Sequence, residues 1–151
     1  MNALLEKHED LTQLDELIRE FYRVICFEEG GAPDLERMRA LFSPHAHITR
    51  VTPEGVDYLD VGGFASLVRE LLELGAFTSF HEREVKRNTQ RFGRVLHVAS
   101  AYETRVSPDA VDYLERGVNS LQLLQESGGL RIVSLCWDTS SHQPDGQSLF
   151  N

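Results

Sequence analysis

Cysteine, tryptophan and net positive charge are all scarce in this sequence, and no long apolar run is present. The 2 cysteines, Cys26 and Cys136, fall inside patterned segments rather than in a spaced framework. That excludes a disulfide-stapled scaffold and makes both of them small hydrophobes of a reducing compartment. No stretch approaches the ~20 apolar residues of a membrane span. Residues 1–10, with Glu6, Lys7, Glu9 and Asp10, lack the apolar core of a signal peptide, so a cytoplasmic protein with no membrane partner is expected. Against 24 Asp and Glu stand only 15 Lys and Arg, a net charge of −9. Such a balance repels phosphate backbones and excludes general electrostatic attraction to nucleic acid.

What is present is ordinary for a globular chain: 41% hydrophobic and 26% charged residues over 151 positions, enough for one domain with its own core. The patterning predicts a single domain over 1–140 and a mobile polar tail over 141–151. Leu11, Leu14, Leu17, Ile18, Phe21, Val24 and Ile25 recur at helical spacing, predicting a helix over 10–29. Gly30, Gly31 and Pro33 end it, and Asp34 caps a short second helix through Leu35, Met38, Leu41 and Phe42, closed by Pro44. From His45 the period changes to that of strands, with a hairpin over 45–52 and 56–61 around Pro53, Glu54 and Gly55. A third amphipathic helix follows through Phe64, Leu67, Val68, Leu71 and Leu74 to Gly75. Four strand-like runs come last, over 77–91, 94–106, 113–126 and 130–140, divided by short Gly, Pro or Asp turns.

Helices at the front and a meander at the back give an α+β class, with three helices packed on a strongly curved, mostly antiparallel sheet of about six strands. The last strands are apolar on both parities: Leu121, Leu123, Val133, Leu135 and Trp137 on one, Val118, Leu124, Ile132 and Cys136 on the other. A sheet covered on one face needs only one apolar parity, so a homodimer through the outer sheet face is expected.

Three stretches carry a resemblance. Residues 38–46 (MRALFSPHA) resemble an "ALF-x-x-x-A" lead into a first strand. Residues 92–103 (FGRVLHVASAYE) resemble a turn and "hV-x-S-x-Y-E" strand. Residues 129–137 (GLRIVSLCW) resemble a closing "W-R-I-V-x-x-x-W" strand, with Leu130 in place of the first Trp. Together, and with the element order, they are similar to the nuclear transport factor 2-like superfamily, including its SnoaL-like and ketosteroid-isomerase-like branches. The resemblance implies a cone whose curved sheet and helices enclose a pocket. It implies no single activity, because the fold hosts enzymes, binding modules and non-catalytic subunits. The isomerase branch has a catalytic Asp followed by Pro where this chain, aligned on Ala40, Leu41 and Phe42, has Arg50 and Val51. A cation cannot serve as that base. The branch also has an oxyanion-binding Tyr in its first helix, and Tyr22 lies about one residue out of phase with it.

The residues themselves offer other chemistry. Arg50 has a planar donor fork suited to a carboxylate or enolate, or to a structural ion pair. With a two-residue loop at Phe92 and Gly93, Glu82 would face Glu103, Phe80 would face Arg105 and Glu84 would face Ala101. Opposed carboxylates beside Phe80 would raise one pKa, as a general acid needs, making Glu82 the candidate catalytic group. The alternative is that Glu82 and Glu103 form stabilising ion pairs with neighbouring arginines. Tyr22, Tyr102, Asn119 and Trp137, with Arg50 and Glu103, are the candidate ligand-binding residues, or core. His45, His47 and His81 are strand histidines without a matching Cys or carboxylate cluster, so neither a metal nor a cofactor is expected. Acidic groups crowd residues 1–36, whereas Arg83, Lys86, Arg87, Arg91 and Arg94 make a basic run that balances them across the fold.

Three functions remain open on this reading. The first is a small-molecule-binding protein holding a partly apolar, hydrophobic or carbonyl-containing ligand. The second is an acid/base enzyme of the isomerase, cyclase or dehydratase type on a hydrophobic carbonyl compound. The third is a non-catalytic dimeric subunit. A cavity holding a carboxylate with a strongly raised pKa favours the enzyme. A cavity filled by Phe64, Phe77 and Leu71 favours the subunit.

Overall fold

The helical spacing of Leu14, Leu17, Ile18, Phe21 and Tyr22 puts all five on one buried face of α1 (Ala3–Arg23). Each of these large side chains contributes about 1.5–3 kcal/mol by leaving water. The computed structural model describes residues 3–139 apart from 74 and 76, with side chains from residue 11 onward except 73. The tail expected over 141–151 therefore lies outside the described residues. Helix α1 stops at Arg23, six residues earlier than the pattern predicts. Past it Phe27 forms an antiparallel bridge with Phe80, through N–H to O contacts of 2.9 and 3.0 Å. That bridge, not local propensity, decides where the helix ends.

Asp34 caps α2 (Leu35–Ala40) by accepting from the Arg37 N–H at 3.0 Å. Asp60 does the same for α3 (Val61–Val68) through the Gly63 N–H at 2.7 Å. A π-helical turn, Arg69–Glu73, extends α3. The strands are β1 (Phe42–Thr52), β2 (Gly55–Leu59), β3 (His81–Phe92), β4 (Val95–Arg105), β5 (Glu115–Glu126) and β6 (Gly129–Asp138). They form one six-stranded sheet in the order β2-β1-β6-β5-β4-β3. All neighbours are antiparallel except β1 and β6. Three helices against a mixed, mostly antiparallel sheet is the architecture expected. Strand β1 begins before Pro44 rather than after it, because the proline falls in an irregular stretch of the ladder between Phe42 and His47, where no N–H is required.

Register shifts in three strand pairs bend and twist the sheet around the helices. The one between β5 and β6 changes the meaning of the apolar parities. Leu130, Ile132 and Leu135 all enter the core, because the irregularity inserts a residue between Ile132 and Leu135. Ile132 therefore belongs to the inner face, contrary to the alternating assignment, and Cys136 is exposed. The two-faced hydrophobicity that suggested a dimer is thus partly a bulge. Among the described residues no helix is long and apolar enough to cross a membrane.

Candidate functional site

Cross-strand pairing collects the polar residues of the inner face into rows. Arg50 on β1 pairs with Trp137 on β6, Trp137 with Asn119 on β5, Asn119 with Ser100 on β4, and Ser100 with Arg87 on β3. A second row runs from Glu115 on β5 through Thr104 on β4 to Glu82 on β3. Paired residues share a face, so both rows look toward the helices.

Glu82 owes its place to a bulge. At the Phe92 end of the β3–β4 hairpin Phe92 pairs with Val95, and that register would carry Arg87 and its alternate neighbours inward. An extra residue between Glu84 and Lys86 shifts the register by one and turns Glu84 and Glu82 inward as well. The turn is Gly93 and Arg94 rather than Phe92 and Gly93, and with the bulge this moves Glu82 off the expected pairing with Glu103. Glu82 is opposite Thr104, Arg83 is opposite Glu103, Glu84 is opposite Tyr102, and His81, not Phe80, is opposite Arg105. Glu103 lies on the other face of the sheet, away from the cavity. There its Oε1 accepts from Arg83 Nη2 at 2.6 Å and Arg105 Nη2 at 3.0 Å, and its Oε2 accepts from Arg116 Nε at 3.4 Å. Burial alone would raise the Glu103 pKa, but the hydrogen bonds from Arg83 and Arg105 outweigh it and hold the group below its ordinary range. Glu103 has a structural role.

Between helices and sheet lies a partly open cavity of about 160 Å³. Apolar and aromatic side chains, among them Phe21, Phe64, Leu71, Leu135 and Trp137, make its walls, and Arg50, Glu82, Tyr102, Glu115 and Asn119 bring the polar atoms. Phe64 packs edge-on against Trp137 at 5.7 Å between ring centroids. Phe77 does not fill this space. It packs against Phe80 at 5.3 Å and is itself exposed.

Among the described residues no hydrogen bond reaches the Glu82 carboxyl. Its backbone is held in place by Cys26, whose sulfur lies 3.3 Å from the Glu82 nitrogen. The carboxyl borders the cavity, so it keeps some contact with solvent, yet protein surrounds it. That burial, with the nearby Glu115 charge second, pushes its pKa up to about 8. Both protonation states are thus populated at mildly alkaline pH, which is the property a proton carrier needs. Burial, reinforced by Glu82 and Glu115, raises the Tyr102 phenol as well. The Tyr102 ring lies over Gly117, where a Cβ would stand 2.6 Å from the ring carbon Cζ. Only glycine permits that position.

Tyr22 meets the sheet behind the cavity rather than on its lining. Its hydroxyl sits 2.7 Å from Ser100 Oγ and accepts from Asn119 Nδ2 at 3.1 Å. Ser100 in turn donates to Glu84, and Arg87 donates to Glu84 and, at 2.6 Å, to Asp15. Because Glu84 is an arginine-paired acceptor, the donors must run from Asn119 through Tyr22 and Ser100 to Glu84. Tyr22 therefore gives its proton to Ser100 and serves to orient Asn119, which lines the cavity. Arg50 Nη1 reaches Asp57 only at 3.4 Å, and its Nε is buried without a partner.

The structure thus brings Arg50, Glu82, Tyr102, Asn119 and Trp137 to one cavity, sets Tyr22 behind it and removes Glu103. Glu115, Ser100, Glu84 and Gly117 were not singled out from the sequence. Their signal is cross-strand register, which the bulge hides. Among the described residues no three His, Cys, Asp or Glu side chains are grouped to hold a metal ion. His81 lies 2.8 Å from Glu28.

Comparison with solved structures decides the fold. An NTF2-like protein with a cystatin-like fold from Novosphingobium aromaticivorans superposes with a TM-score of 0.70 at 16% identity, covering 97% of this chain and 89% of that one. The chain has the nuclear transport factor 2-like fold. A protein of unknown function from Nostoc punctiforme with a cystatin-like fold gives a TM-score of 0.69 at 13% identity, covering 95% of this chain and 97% of that one. An NTF2-like protein of unknown function from Pseudomonas putida gives 0.66 at 6% identity, covering 84% of each chain. At such identities the nuclear transport factor 2-like likeness extends to the fold alone. No family model and no curated protein matches the sequence.

Proposed function

We propose that the cavity binds a small, partly apolar, carbonyl-containing molecule and that Glu82 moves a proton on it. The observation that carries this reading is the Glu82 carboxyl: it faces the cavity, has no hydrogen-bonding partner among the described residues, and is held protonated at neutral pH by burial and Glu115. Arg50 and Asn119 are donors on the same cavity wall and can polarise a carbonyl oxygen. Phe64 and Trp137 supply a flat apolar wall for the body of the ligand. The volume is close to that of a cavity able to hold one benzene-sized ring, ~150 Å³, so monocyclic compounds are the right size.

Trp137 is the sole tryptophan, and its fluorescence reports on the cavity directly. Cyclohexanone and acetophenone are titrated against wild type and Glu82→Gln, and exchange of their α-hydrogens for solvent deuterium is followed by NMR. Binding to both proteins with exchange only in wild type is expected. Binding to both with exchange in neither would leave a binding protein without turnover, the reading favoured by the buried, unpartnered Arg50 Nε. No fluorescence change with either compound would count against a small-ligand site. A homodimer is also proposed, through the outer sheet face, where Val118 and Leu124 are half-buried. Native mass spectrometry tests it, and a monomer at micromolar concentration would refute it.

A further inference from the structure

We propose that the cavity selects a monocyclic carboxylate, with its carboxylate on Arg50 and its ring against Trp137 and Phe64. The inference rests on the cavity being a small-ligand site and adds the charge and orientation of what enters it.

Arg50 Nε is the one buried side-chain nitrogen or oxygen without a partner among the described residues. Among the described residues the guanidinium is otherwise engaged only by Asp57, at 3.4 Å through Nη1, and Asp57 is half exposed. A buried N–H of a cation left without an acceptor is costly, and here it belongs to a residue that lines a cavity. A ketone oxygen would satisfy one N–H. A carboxylate can take the Nη edge through charge-assisted bonds and neutralise the cation, and it reaches the enclosed Nε as well once the guanidinium turns toward the cavity.

The rest of the cavity fixes the direction of entry. Arg50 and Trp137 are paired across β1 and β6, so a ring stacked along Trp137 starts beside the guanidinium. The opposite end carries Glu82 and Glu115, and a carboxylate placed there would meet the charge of Glu115, joined by that of Glu82 once it ionises. Asn119 and Glu115 are both on β5, four residues apart, which separates the two ends by roughly 13 Å along the strand. An anion is therefore welcome at one end only. The Arg50 side chain keeps some contact with solvent, with an exposure of 21%. The carboxylate keeps part of its hydration while the ring enters the apolar walls.

The test compares benzoate with its neutral isostere benzamide, and with acetophenone, by quenching of Trp137 fluorescence in wild type, Arg50→Gln and Arg50→Lys. Wild type is expected to bind benzoate at least about tenfold more tightly than benzamide, the scale of a charge-assisted pair over a neutral one. Arg50→Gln should abolish that preference, so that benzoate binds no more tightly than benzamide whatever the affinity left for either. Arg50→Lys, which keeps the charge but loses the fork, should retain only part of the preference, and it serves as the folded control if the glutamine variant is unstable. Equal binding of benzoate and benzamide to wild type, or a preference that survives in Arg50→Gln, would overturn the assignment. If acetophenone and benzamide bind and benzoate does not, the carboxylate inference fails while the small-ligand site stands. If none of the three binds, the site itself fails.

Discussion

Replacing Glu82 by glutamine tests the buried carboxyl without any ligand. The unfolded chain loses this proton near 4.5 and the folded protein near 8. Between those values the folded state holds a proton that the unfolded state has released, so stability falls as pH rises through the interval and is level above it. The slope is about 1.4 kcal/mol per pH unit. Between pH 6 and pH 9 only the part up to 8 is sampled, which amounts to about 3 kcal/mol. Glu82→Gln keeps the shape of the neutral acid and cannot ionise. Every other group titrates alike in the two proteins, so the difference between their pH dependences isolates Glu82. Urea denaturation at both pH values is the assay. Wild type should lose about 3 kcal/mol more than the variant on going to pH 9, a relative midpoint shift of about 1.5 M urea for a chain of this size. At pH 6 the unfolded chain has already released this proton, so wild type should be about 2 kcal/mol less stable than the variant. The two should agree within about 1 kcal/mol only below about pH 4.5, where the side chain is neutral in both states. Equal losses in the two proteins would show that Glu82 is ionised in the fold at pH 6, and the proton-carrier assignment would go with it.

Tyr22→Phe should cost about 1–3 kcal/mol, because Ser100 and Asn119 each lose a buried partner. Combining it with Ser100→Ala should cost less than the sum of the two single losses in urea melts, since both break one chain of donors. Gly117→Ala places a methyl group against the Tyr102 ring and should destabilise by about 1–3 kcal/mol; a loss under about 0.5 kcal/mol would show that the ring moves freely. Glu103→Ala leaves Arg83, Arg105 and Arg116 without their shared acceptor and should cost about 1–3 kcal/mol at pH 7, because Arg83 is solvated and Arg105 keeps the Ala110 and Val111 carbonyls. That contribution is fully present above the ordinary carboxyl range and is lost as the pH falls through the lowered pKa of Glu103, so the wild type and variant should converge on acid titration. Trp137→Ala, at a half-buried position on the cavity wall, should cost less than a core tryptophan would, about 1–3 kcal/mol by thermal unfolding.

Much of the fold was legible because its signals are local. Leu14, Leu17, Ile18 and Phe21 announce α1 by spacing, Asp34 is a cap with a short side chain, and the Gly93 and Gly129 turns each have positive φ. Helix ends were less legible. Val24 and Ile25 continue the helical period, yet the chain leaves the helix there so that Phe27 can pair with Phe80, a partner invisible until the chain is folded. The site was legible in composition and not in arrangement. Arg50, Glu82, Tyr102, Asn119 and Trp137 stood out as residue types, and they do share a cavity. Glu103 was drawn in beside Glu82 by taking Phe92 and Gly93 as the turn, whereas the turn is Gly93 and Arg94 and the ladder beyond it is broken at Val85.

By itself, then, the sequence determined an α+β chain of three helices and a curved sheet, because hydrophobic period, caps and turns act over a few residues. Only the tertiary structure decided which carboxylates face the cavity. One inserted residue between Glu84 and Lys86 reverses the parity of half a strand, and a side chain's face depends on the count of residues from the turn rather than on its own identity. That irregularity put Glu82 inward among apolar walls, while the unbroken alternation of β4 sets Glu103 outside among arginines, giving two identical side chains opposite protonation behaviour.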